Sequence, residues 1–142
     1  MTIARLVEGR ENSIISCTAD ISMREAIALL AEKRIGALPV MQQGKVAGIF
    51  SERDVIYRLQ AHGPEVLDRR VSEVMTTPAV TVEPETSVLS ALALMTRRRI
   101  RHLPVMRGTE MIGFISIGDL VKHRIDRIES EAEAMRAYIQ AA

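Results

Sequence analysis

The chain is short of several things, and each shortage removes a class of function. It has one cysteine, Cys17, in 142 residues, so no internal disulfide can staple the fold. It has no tryptophan, and its aromatics are Phe50, Tyr57, Phe114 and Tyr138 alone, too few for a platform that stacks single-stranded nucleic acid. Nineteen basic against eighteen acidic side chains leave a formal charge of +1, where nucleic-acid binders carry a strong basic excess. The longest uncharged apolar stretch, around Val88 to Met95, is under half of what spans a bilayer, so no membrane partner is expected. The opening residues MTIARLVEGR lack the apolar stretch of a signal peptide, and a cytoplasmic location is the expectation. There is no Walker A sequence, no GxGxxG and no G-x-S-x-G elbow. His62, His102 and His123 stand too far apart for a local HExxH-type metal site. No metal site, no catalytic constellation and no catalytic cofactor are expected, so the chain does not read as an enzyme.

What is present is a globular composition, 47 % apolar and 26 % charged, and an internal repeat. A shift of 65 residues superimposes the halves without a gap. Arg5 falls on Arg70, Glu8 on Glu73, Ser22 on Ser87 and Ala26 on Ala91. Ala28-Leu29 fall on Ala93-Leu94, and Arg34-Ile35 on Arg99-Ile100. Leu38-Pro39-Val40-Met41 recurs as Leu103-Pro104-Val105-Met106, and Gly48, Ser51 and Asp54 meet Gly113, Ser116 and Asp119.

Each copy spells the same elements. A short strand is expected at Ile14 to Cys17 and at Ala79 to Val82. A helix follows from Ser22 to Arg34 and from Ser87 to Arg99, with apolar residues at 3/4 spacing and serine at each N-cap. Two strands come next, Leu38 to Met41 with Val46 to Phe50, and His102 to Met106 with Met111 to Ile115. A second helix starts near Glu52 and near Ile117, and Gly63-Pro64 breaks the first of these. The expected class is α/β (mixed α+β): two repeats, each a small three-stranded sheet with two helices, packed as a pseudo-twofold module. The expected divisions are 5–62 for the first repeat, 63–69 for a linker, 70–125 for the second repeat and 126–142 for an extended C-terminal helix. A unit of about 60 residues has too little core to stand alone well, so the copies should depend on each other.

The motifs Ile35-Gly36-Ala37-Leu38-Pro39-Val40 with Ser51-Glu52-Arg53-Asp54, and Ile100-Arg101-His102-Leu103-Pro104-Val105 with Ser116-Ile117-Gly118-Asp119, resemble those of cystathionine-β-synthase (CBS) domains. The tandem resembles a Bateman module, over about Leu6 to Ile125, of the small stand-alone bacterial type. The resemblance implies a sensor of adenosine-containing ligands (AMP, ATP, NAD or S-adenosylmethionine), a homodimer, and an effector that is a separate protein.

The residues support a binding site in their own right. Ser51 and Ser116 each end a strand and open a helix, whose free N–H groups attract phosphate. Asp54 and Asp119 lie one turn in, and a carboxylate suits the paired hydroxyls of a ribose. The same Ser-x-x-Asp spacing also suits a capping box, and both roles are compatible. Ile35, Gly36, Ala37, Leu38 and Pro39, with Ile100, Arg101, His102, Leu103 and Pro104, form the second candidate wall. The prolines lack an N–H and leave neighbouring backbone free for an adenine edge. Gly36 permits close approach of a ring, or caps the helix before it, and the two roles are compatible. Arg101 and His102 replace Gly36 and Ala37 in the second copy and are candidate phosphate contacts. Arg97 and Arg98 read as partners of a helix C-terminus. By the resemblance, Arg53 is another phosphate candidate. Cys17, Thr18 and Val82 at the first-strand ends complete the candidate ligand set, although Cys17 by itself reads as core.

In the tail, Val121, Ile125, Ile128, Ala132, Met135 and Ile139 recur at 3/4 spacing. That stripe either folds back on its own module or pairs with another chain, and the resemblance favours pairing. Two other functions fit less well: a ligand-free interaction module with vestigial pockets, and a nucleic-acid-associated regulator acting through the arginine run.

Overall fold

The computed structural model describes residues 1–141. The element order is α1 (Ala4–Val7), β1 (Cys17–Thr18), α2 (Met23–Lys33), β2 (Ala37–Gln42), β3 (Lys45–Ser51), α3 (Glu52–His62), α4 (Val71–Val74), α5 (Val88–Arg98), β4 (His102–Arg107), β5 (Glu110–Ser116) and α6 (Ile117–Ala141). The fold is mixed α/β, with six α-helices and two small sheets among the described residues. The residues before α4 form a 3-10 turn, Pro64–Asp68, that buries Val66. No helix is long and apolar enough to cross a membrane among the described residues. Ala142, the last residue of the expected tail helix, lies outside the described residues.

Local chemistry sets the helix ends. Ser22 accepts a hydrogen bond from Glu25 N at 3.1 Å and Ser87 from Ser90 N at 3.0 Å, which starts α2 and α5. Both helices stop at an arginine in the left-handed region, Arg34 (φ 54°) and Arg99 (φ 56°). The helix therefore ends before Gly36, and Gly36 is not its cap.

The sheets are alike but unequal. In the first, β1 pairs parallel with β2, and β2 antiparallel with β3. In the second, β4 and β5 pair in matching register, each hairpin with its irregularity after the valine of Leu-Pro-Val. The expected third strand there shrinks to one bridge, Val82 with Val105. Proline explains the loss. In the first repeat Ala19 N donates to Met41 O at 3.0 Å, and the equivalent residue, Pro84, has no N–H to give. Proline also shortens both first strands at their start. Pro39 and Pro104 offer no donor to the chain that would pair beside them, so Ile14-Ile15 and Ala79-Val80 leave the sheets.

The two cores are interleaved. One gathers Met23, Ala26, Leu38, Val40 and Phe50 with Val66, Val71 and Val74 from the segment that opens the second repeat. The other gathers Val88, Ala91, Met95, Leu103, Val105, Ile115 and Leu120 with Ile3 and Val7 from the chain's first turn. Backbone bonds secure both crossings: Val71 N to Ile21 O at 2.8 Å and Ile3 N to Thr86 O at 2.9 Å. The ungapped alignment fails at these openings. Thr2, not Arg5, takes the place of Arg70, because Thr2 bridges Ser87 as Arg70 bridges Ser22.

The close approaches repeat too. A Cβ on Gly113 would lie 2.3 Å from Val7 Cγ1, and one on Gly48 would lie 2.6 Å from Thr76 O and 2.8 Å from Met75 Sδ. Only glycine lets the crossing segment lie this close to the hairpin.

Candidate functional site

Two clefts open between the repeats, each walled by both. The larger, about 530 Å³, takes Gly36, Ala37, Ile49, Ser51 to Asp54, Ile56 and Tyr57 from the first repeat. Thr76, Pro78 to Val80 and Arg98 to His102 close its far side. The smaller, about 290 Å³, is its pseudo-symmetric counterpart. Asp119, Ser116 and Phe114 stand for Asp54, Ser51 and Ile49, while Ser13, Ile14 and Ile15 stand for Pro78, Ala79 and Val80. Val7, Arg10, Ile35, Gly113 and Ile115 complete it. Ala37 and His102, equivalent in the repeats, line both clefts and form the wall between them. The larger volume lies within the roughly 300–1,000 Å³ of small-molecule sites, and the smaller falls just short of it.

Both Ser-x-x-Asp motifs cap their helices. Asp54 N donates to Ser51 Oγ at 3.3 Å while Ser51 N donates to Asp54 Oδ2 at 2.9 Å. Asp119 N and Ser116 N repeat this at 3.1 and 2.9 Å. In each case Oδ1 is left to face outward. Asp54 Oδ1 accepts from the Thr76 hydroxyl at 2.8 Å, and Asp119 Oδ1 stands 3.9 Å from the Arg10 guanidinium. Capping thus uses one carboxylate oxygen and leaves the other on the cleft side.

Charge separates the clefts. Arg53, Arg98, Arg99 and Arg101 surround the larger one against Glu52 and Asp54, whereas the smaller has Arg10 against Asp119. Arg53 Nη1 donates to Arg99 O at 2.6 Å, tying α3 to the end of α5 in the other repeat. Arg98, expected to serve only its helix end, lines the larger cleft; Arg97 does not. His102 stacks on Phe114 with ring centroids 5.5 Å apart. Burial holds its imidazole below the ordinary value, against the opposing pull of Asp119 and Glu52, and Arg101 adds to the depression. Gly36 is where the repeats approach: a Cβ there would lie 3.3 Å from Glu52 Oε1 and 3.6 Å from His102 Cε1.

The expected site residues divide accordingly. Gly36, Ala37, Ser51, Arg53, Asp54, Ile100, Arg101 and His102 meet in the larger cleft, and Ile35, Ala37, His102, Ser116 and Asp119 in the smaller. Leu38, Leu103, Cys17 and Val82 line neither cleft, because each is buried in a repeat core. Pro39 and Pro104 are paired within the sheets opposite Ile49 and Phe114, and Thr18 is exposed and bonded to Asp20. These seven positions are corrected from wall to support. Burial pushes the Cys17 thiol up to about 11, which suits core and not chemistry.

Sequence reasoning missed Arg10, Thr76, Tyr57 and the Ile14-Ile15 and Ala79-Val80 walls. The walls had a signal, the missing proline donors; Arg10 and Thr76 had none, since tertiary folding alone brings them to the aspartates. No group of three or more His, Cys, Asp or Glu side chains is placed to hold a metal ion among the described residues.

A pair of like repeats is also what comparison with known proteins finds. The sequence profile of the CBS domain matches residues 11–61 and 71–126. The chain belongs to the CBS-domain family. This CBS pair is 37 % identical over 135 residues to the mitochondrial CBS domain-containing protein CBSX3 of Arabidopsis thaliana, covering 92 % of this chain and 66 % of that protein. A solved structure of a protein with CBS domains from Burkholderia ambifaria matches with a TM-score of 0.81 at 41 % identity, covering 89 % of this chain and 95 % of that one. The CBS pair of protein MJ0100, solved in complex with 5′-methylthioadenosine and S-adenosyl-L-methionine, shares the fold with a TM-score of 0.77 at 20 % identity over 89 % of this chain and 98 % of that one.

Proposed function

We propose that this CBS pair is a regulatory module that binds an adenosine phosphate in the larger cleft. One observation carries the reading: Arg53, Arg98, Arg99 and Arg101 line one cleft together with apolar Ile49, Val80 and Ile100 and with Asp54. An adenine ring suits Ile49, Val80 and Ile100, ribose hydroxyls suit Asp54 Oδ1 beside Thr76, and phosphate suits Arg53 and Arg98 to Arg101. The MJ0100 complex supports the adenosyl part by analogy of fold. The arginines favour AMP, ATP or NAD over S-adenosylmethionine, whose sulfonium is cationic. Because Arg53 bonds to the far end of α5, a phosphate that recruits its guanidinium would release that link and alter how the repeats meet. A separate effector protein would read that change, in the cytoplasm on the sequence expectation, and the chain would act as a self-associating unit.

Isothermal titration with each of the four ligands tests the reading. Binding of a phosphorylated ligand, weakened at least about tenfold by Arg101→Ala, is expected. Absence of binding heat for all four at millimolar concentration would refute it. One observation favours a ligand-free interaction module instead: both capping boxes are complete on their own. That alternative predicts no binding at either cleft.

A further inference from the structure

The second half of α6 stands clear of the molecule. From Ile125 to Ala141 every residue is exposed, and the apolar stripe is exposed with them: Ile125 and Ile128 at 50 %, Met135 at 60 % and Ile139 at 65 %. The chain's own body meets α6 on another flank, where Met1 lies with His123, Asp126, Arg127, Ser130 and, at the edge of that flank, Glu131. The stripe therefore points away from the module that carries it.

Its spacing is that of a heptad seam. Val121, Ile128 and Met135 occupy one core position and Ile125, Ala132 and Ile139 the other. Beside the seam stand Arg124 and Glu131 on one side and Glu129 and Arg136 on the other. We infer that residues 121–139 form a parallel, in-register, two-stranded coiled coil with a second copy of this chain. In that register Arg124 faces the second copy's Glu129, and Glu131 faces its Arg136, so symmetry yields four opposite-charge pairs. The antiparallel register that keeps the same apolar layers sets Lys122 against Arg136, and Glu129 and Glu131 each against themselves. Charge thus selects both the occupant and its direction. Within the helix Arg127 Nε lies 3.3 Å from Glu131 Oε1 and steadies that carboxylate beside the seam. The apolar stripe itself stays exposed along its whole length, so the body does not cover the seam. At about 28 Å the seam is short, so the helix is anchored by the folded body at its start.

The inference rests on the self-association read above, and full-length Met135→Cys separates the two. Met135 meets its own copy only in the parallel register; in the antiparallel one it meets Ile125. Cys17 is buried with a raised thiol pKa and stays silent. Mild oxidation should convert most Met135→Cys chains to a disulfide-linked dimer. Cross-linking only when Met135→Cys is mixed with Ile125→Cys overturns the direction. A dimer in light scattering that never cross-links overturns the coiled coil and leaves self-association standing. A monomer at every concentration overturns both. Glu129→Arg should weaken the dimer about fivefold or more, and adding Arg124→Glu should restore it; failure of that rescue also overturns the pairing.

Discussion

Gly113→Ala probes the crossing of the chain's first turn into the second core. The new methyl would sit 2.3 Å from Val7 Cγ1 and 2.8 Å from Val7 Cβ, well inside contact distance. Val7 is 5 % exposed and cannot swing into solvent without uncovering the core. Overpacking of this kind costs about 1–3 kcal/mol, or about 3–9 °C in Tm for a chain of this size. Val7→Ala alone should cost about 2 kcal/mol through the methyls it removes. The two together should cost less than the sum of the single effects, because truncation removes the 2.3 Å contact with Cγ1, although the one with Cβ at 2.8 Å remains and keeps the rescue partial. Urea unfolding of all four proteins measures the cycle. Gly48→Ala is the contrast. Its methyl would meet the Thr76 carbonyl at 2.6 Å, which is backbone, so Met75→Ala should not rescue it. A Gly113→Ala protein that melts within about 1 °C of the parent, or effects in the double variant that simply add, would refute the crossed packing.

Three further outcomes are expected. His102 is held neutral by burial, so the unfolded chain binds more protons than the folded one below pH 6.5, and stability should fall as pH drops through that point; a Tm-against-pH curve for His102→Gln should lose part of that fall. Arg34→Gly and Arg99→Gly should each raise Tm by about 2–4 °C by removing a side chain from left-handed backbone. Only Arg99→Gly should also weaken nucleotide binding, since Arg34 lies outside the cleft; equal effects on titration would count against the cleft. The Cys17 thiol, pushed up to about 11 by burial, should react with a thiol reagent at neutral pH only after denaturant is added. Full labelling of the native protein would contradict its burial.

The repeat, the helices with their serine caps, the hairpins and the Ser-x-x-Asp cap were all readable from the chain. Each depends on neighbours in sequence: apolar spacing, a side chain three residues from a backbone donor, a turn between two strands. Those contacts are local, so a linear pattern encodes them. The family resemblance drew on the same local motifs, and the CBS match agrees with it.

Tertiary structure decided what distant segments do to one another. Leu38 and Leu103 were expected in the ligand wall because they adjoin motif residues. A strand turns alternate side chains to opposite faces, and theirs point into the cores. Arg10 and Thr76 reach the aspartates only because the chain openings cross to the other repeat. The short second sheet depends on Pro84 meeting Met106, a pairing no local rule contains. Sequence by itself determined two copies of one unit, their main helices, hairpins and serine caps, since these are short-range bonds. The fold decided which faces of the units meet, and with them two shared clefts, one ringed by arginine and one not, because facing surfaces follow from long-range packing.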